Sequence, residues 1–153
     1  MAAILGVLTV FVDMINMKDD KDFFTKMDPY VTLIVGKKKQ TTKKISGGGK
    51  MAVFGQSFNF EITKETKLEV KVHDSDILWD DNLGSTTIDF KEALKGKPID
   101  KVFNLRKLLH LTSTGTIKLR ITFEPHSGTA SLDSTSTSNN EKPETKSKPQ
   151  TVM

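Results

Sequence analysis

Eight short runs, most with bulky apolar residues alternating with polar ones between Gly, Pro, Asn or Asp, leave this 153-residue chain few folds to adopt. The clearest run is 67–73. Leu68, Val70 and Val72 fall on one side of it, and Lys67, Glu69, Lys71 and His73 on the other. Residues 115–123 put Ile117, Leu119, Ile121 and Phe123 on one face, and 54–62 carry Phe54, Phe58 and Phe60. A period of two belongs to a strand with one face against a core. Further runs lie at 5–13, 30–35, 39–45, 85–90 and 101–105. A single helical turn at 91–95 is stopped by Gly96 and Pro98. Eight strands at this spacing predict an all-β fold, an eight-stranded antiparallel β-sandwich.

Residues 2–12 are almost wholly apolar, but no Lys or Arg precedes them and no small-residue cleavage site comes after. They are too short to span a bilayer. They read as a first strand buried on both faces, with Val7, Thr9 and Phe11 on one and Leu8, Val10 and Val12 on the other. The apolar pattern ends at Pro125. Residues 126–153 are rich in Ser, Thr, Asn, Lys, Glu and Pro, so the folded domain is expected over 1–125 and a disordered tail over 126–153. There are no cysteines, which excludes disulfides and thiol catalysis and fits a reducing cytoplasm. A formal net charge of +4 leans weakly toward anionic partners.

Two loops gather carboxylates. Residues 19–28 contain Asp19, Asp20, Asp22 and Asp28, and residues 74–81 contain Asp74, Asp76, Asp80 and Asp81. Both lie between strands, and a sandwich can bring such loops to one end. Like charges at that density repel unless a cation sits among them. Hard oxygen donors, with no Cys and with no His inside either cluster, favour Ca²⁺ over zinc or copper. The spacing is not that of an EF-hand, whose Gly and closing Glu are missing.

In this arrangement the chain resembles a C2 domain. Asp22, five intervening residues and then Asp28-Pro29-Tyr30-Val31 resemble that family's first Ca²⁺ loop. Asp74-x-Asp76 with acids and Leu83-Gly84 after it resembles its third. Residues 51–60 align where the family has an Asn-Pro-x-Trp segment. Here Phe54 and Phe58-x-Phe60 are kept, while the Asn-Pro and the Trp are absent. A first strand leading straight into the first acidic loop, and a last strand after all the motifs, are similar to the permuted type II topology. Small plant elicitor-responsive proteins and the lipid-targeting domain of cytosolic phospholipases look alike in this respect. The resemblance implies Ca²⁺ as cofactor, held by Asp22, Asp28, Asp74, Asp76 and Asp81, with Asp80 an alternative to Asp81. It also implies a cytoplasmic signalling module recruited peripherally to phospholipid membranes in a Ca²⁺-dependent way.

The residues between the acids suit that role. Phe23, Ile77, Leu78 and Trp79 place large apolar groups at acidic loop tips, where they would enter a bilayer once the charge is neutralised. Lys37, Lys38, Lys39, Lys43 and Lys44 form a basic stretch. It reads either as a headgroup face for anionic lipids such as phosphoinositides or as protection of a sheet edge. No nucleophile motif or phosphate loop is present, so the chain is not expected to be an enzyme. Nucleic acid is not an expected partner either, because the lysines lack interleaved aromatics. The closing Thr151-Val152-Met153 matches, weakly, what a protein partner of the PDZ type captures. A Ca²⁺-independent protein-interaction adaptor on the same fold is the alternative function.

Overall fold

In a computed structural model the described residues are 3–18, 27–75, 81–107 and 112–126, with only the backbone of Asp81. Eight strands and one helical turn occur in order: β1 (Gly6–Met17), β2 (Pro29–Val35), β3 (Lys38–Thr41), β4 (Met51–Ile62), β5 (Lys67–Asp74), β6 (Asp81–Asp89), α1 (Lys91–Leu94), β7 (Ile99–Leu105) and β8 (Gly115–Pro125). They form two four-stranded sheets, β4-β1-β8-β7 and β3-β2-β5-β6, antiparallel throughout. The expected sandwich is the observed one. Its alternating apolar residues meet between the sheets: Leu8, Val10, Leu33, Phe60, Ile62, Leu68, Val70, Ile117, Leu119 and Ile121 are essentially inaccessible to solvent.

The expectation that β1 is buried on both faces is corrected. Leu8, Val10 and Val12 are fully buried, but Val7, Thr9 and Phe11 are only half-buried. A sandwich has one core, so the outer face of a central strand is shielded only by neighbouring side chains. The strand also runs four residues beyond the expected end. Between Val12 and Met14 the ladder slips, and Asp13 stands opposite two residues of β4, Phe54 and Gly55. Gly55, at φ 60°, takes the left-handed conformation that such a bulge needs. Beyond the slip the buried positions of β1 change phase, from 8, 10 and 12 to Ile15 and Met17. That phase change ended the alternation visible in the sequence.

Other bounds move as well. β3 is only four residues long and stops at Thr41, because Thr42 turns inward and its hydroxyl accepts the Val31 N–H at 2.9 Å. β4 and β6 begin earlier than expected, at Met51 and Asp81. The turn α1 is too short to hold itself. Phe90 before it and Ala93 within it are buried and fix it to the core.

The strands alternate in direction, so the connections β1–β2, β3–β4, β5–β6 and β7–β8 all lie at one end of the sandwich. The short β2–β3 and β4–β5 turns and α1 lie at the other.

Candidate functional site

The four connections at the first end are joined by hydrogen bonds of main chain and side chain. Pro29 of β2 registers with Asp74 of β5, which sets the described ends of the two acidic loops side by side. The Asp28 N–H donates to Asp74 Oδ1 at 2.9 Å, and the Ser75 N–H donates back to the Asp28 carbonyl at 3.0 Å. The β3–β4 connection closes on them from the other side. The Gly47 N–H donates to Asp28 Oδ1 at 2.6 Å, and the Gly49 N–H to the Met27 carbonyl at 3.0 Å. The Lys18 N–H donates to the Thr114 carbonyl at 3.0 Å, and the Thr114 hydroxyl to the Leu83 carbonyl at 2.8 Å, so β7–β8 completes the ring.

Asp28 and Asp74 are half-buried, each with one carboxylate oxygen held by a backbone N–H. An N–H on a carboxylate fixes its orientation. The backbone of Asp81 pairs with Asp74 across β5 and β6. Asp22, Asp76 and the alternative Asp80 lie outside the described residues, as do Phe23, Ile77, Leu78 and Trp79. Among the described residues no three His, Cys, Asp or Glu side chains converge. The carboxylates of Asp28 and Asp74 are hard oxygen donors at neighbouring strand ends, and that donor chemistry fits Ca²⁺.

Tyr30 and His73 stack at 4.9 Å on the outer face of the second sheet, beside the site. His73 faces outward, on the side of the strand opposite Leu68, Val70 and Val72, and is half-buried. Gly84 is buried, and a Cβ there would stand 2.5 Å from Thr114 Oγ1.

The five lysines of the basic stretch are placed differently. Lys39, Lys43 and Lys44 are exposed, and Lys37 lies in the β2–β3 turn at the far end. Lys38 points toward the seam between the sheets, where its ammonium donates to the Glu61 carbonyl and pairs with Glu65 at 3.8 Å. Gln40 Nε2 donates to the Asn59 carbonyl at 2.6 Å, and the Lys43 N–H to Gln56 Oε1 at 3.1 Å. Side chains of β3 thus cover carbonyls of the edge strand β4, as protection of a sheet edge requires. Gly47 and Thr114 were missed as site residues. The glycine run at 47–49 reads as a strand stop, and nothing local marks Thr114.

The sequence profile of the C2 domain matches residues 6–105. The chain belongs to the C2 domain family. β8 lies beyond the matched stretch yet sits between β1 and β7, in keeping with the permuted strand order of this C2 domain. A 16 kDa phloem protein 2 of Arabidopsis thaliana is 28% identical over 123 residues, covering 78% of this chain and 82% of the relative. The structure of a C2 domain-containing protein from a putative elicitor-responsive gene superposes with a TM-score of 0.69 at 26% identity, covering 82% of this chain and 93% of that one. Human GIVD cytosolic phospholipase A2 superposes with a TM-score of 0.70 at 25% identity. The match covers 83% of this C2 chain but only 17% of the phospholipase. No helix among the described residues is long and apolar enough to cross a membrane.

Proposed function

We propose that this C2 domain is a Ca²⁺-dependent phospholipid-binding module that docks peripherally on membranes through the end carrying its acidic loops. The observation that carries the reading is the Asp28–Asp74 contact, which brings together two loops that are forty-six residues apart. Asp28 and Asp74 would hold Ca²⁺ with Asp22, Asp76 and Asp81, and the bound ion supplies positive charge that offsets theirs. Phe23, Ile77, Leu78 and Trp79, on the same loops, then enter the bilayer. Full burial of such side chains yields about 1.5–3 kcal/mol each, so partial burial of three or four reaches micromolar affinity. The module works in the cytoplasm and has no catalytic role of its own.

Co-sedimentation with neutral and acidic vesicles, with Ca²⁺ and with chelator, tests this. Binding is expected with Ca²⁺ only, and Asp74→Asn should abolish it. Trp79 is the single Trp of the chain. Its emission should shift to the blue when Ca²⁺ and vesicles are present together. Trp79→Ala should weaken binding more than Lys39→Ala, because attraction by exposed lysines fades with salt and apolar insertion does not. Equal binding in chelator would instead favour a Ca²⁺-independent adaptor.

A further inference from the structure

The described surface exposes few large apolar side chains: Leu5, Met51, Val53 and Val102. Single exposed apolar residues are ordinary. Met51 and Val53 are not single. They lie two apart on the outer face of β4, 60% and 64% exposed, and Val53 registers with the half-buried Met14 of β1. β4 is an edge strand, where an apolar outer face invites association.

Position says what that association is for. The Met17 N–H donates to the Lys50 carbonyl at 2.9 Å, and Gly47 and Gly49 of the same connection hold Asp28 and Met27. Met51 therefore comes directly after the ring of loops. At about 3.3 Å per residue, Val53 lies roughly 10 Å from Lys50 along the strand. A headgroup layer is about 5–8 Å deep on each side of a bilayer. A domain touching a membrane with its loop end, and tilted toward β4, brings both side chains to the headgroup boundary. The connection that leads into Met51 carries Lys43, Lys44 and Lys50. All are exposed, and none has a carboxylate partner among the described residues. Val102, across the same sheet, lacks this setting. It registers with Lys118, which reaches Asp13 at 3.6 Å, and its neighbours along the face are Asp100 and Asn104.

We propose that Met51, Val53 and Met14, together with Lys43, Lys44 and Lys50 of the connection that precedes β4, form a second contact with an anionic phospholipid surface and dock the domain tilted onto β4. This rests on the membrane-docking reading above. Apolar contact and cation attraction then act on one patch, which favours acidic over neutral headgroups.

The chain has no cysteine. Met51→Cys, Val53→Cys and Val102→Cys therefore each accept one environment-sensitive fluorophore. With Ca²⁺ and phosphatidylcholine vesicles containing a quarter phosphatidylserine, labels at 51 and 53 should shift to the blue and be quenched by brominated acyl chains. The label at 102 should do neither. The double variant M51D/V53D should bind these vesicles about tenfold more weakly and keep its melting temperature. If the protein sediments while labels at 51 and 53 stay in water, the tilted contact is wrong and the docking reading stands. If it does not sediment with any vesicle, both fall. A blue shift without vesicles, together with a doubled mass in sedimentation velocity, would make the patch a self-association surface and overturn the proposal.

Discussion

Glu65 illustrates how one side chain ties a turn to a sheet edge. It lies in the β4–β5 connection and accepts the N–H groups of Thr63 at 2.9 Å and Lys64 at 3.2 Å, with Lys38 at 3.8 Å. Burial alone would raise its pKa. The N–H groups of Thr63, Glu65 and Lys64, with the Lys38 ammonium, outweigh burial and hold the carboxyl below its ordinary 4.5. A carboxyl depressed in the folded state stabilises the fold above its unfolded pKa and loses that contribution as pH falls through the folded value. Glu65→Gln is therefore expected to lower the melting temperature by a few degrees at pH 7, and the difference should close in acid. Thermal melts from neutral pH to below pH 4 check this, and a gap that widens in acid would contradict it.

At the scale of elements, β6 meets the β7–β8 connection through Gly84. At φ +156° and with a would-be Cβ 2.5 Å from Thr114 Oγ1 and 3.0 Å from Leu105 Cβ, the site admits glycine alone without adjustment. Thr114 is the residue that spans from Leu83 to Leu105, at 2.8 and 3.3 Å. Gly84→Ala should push Thr114 away and cost about 1–3 kcal/mol, the ordinary range for overpacking a filled site. Urea unfolding measures the loss. Because Thr114 also accepts from Lys18 at its carbonyl, the same variant should weaken Ca²⁺ binding by calorimetry, although it replaces no acid.

For the whole molecule, the ring of acidic loops sets two expectations. A ligand that binds only the folded state stabilises it by mass action, about 2.7 kcal/mol at a hundred times its dissociation constant. Melts in millimolar Ca²⁺ should lie above melts in chelator, and Asp74→Asn should remove most of the difference. Superimposable melts would refute the metal site. The second concerns the tail. The His126 N–H donates to the Leu5 carbonyl at 2.7 Å, and the Leu5 N–H to Ile62, so the sandwich is tied off at this residue. The sequence of residues 127–153 is too polar to offset its ordering entropy by burial. Truncation after His126 should leave the melting temperature within about 2 °C, and a larger fall would place the domain boundary further on.

The strands were legible because a one-sided sheet imposes a period of two, as the run Leu68, Val70, Val72 displays in one dimension. The acids at 28 and 74 were legible as candidates because so many carboxylates are hard to explain without a cation. The bulge at Asp13 was not, since an inserted residue looks locally like the end of a strand. Nor was the inward turn of Lys38, which is one lysine among five until the Glu61 carbonyl and Glu65 are known to face it. The exposure of Met51 and Val53 was equally hidden, because Met51, Ala52, Val53 and Phe54 are apolar in a row and a run without alternation gives no sign of which face meets the core. Composition and alternation act between neighbours along the chain, so the sequence determines strands, turns and charge. Which loops touch, which lysine is occupied and which apolar face is left bare depend on contacts between residues far apart in sequence, and those the tertiary structure alone decided.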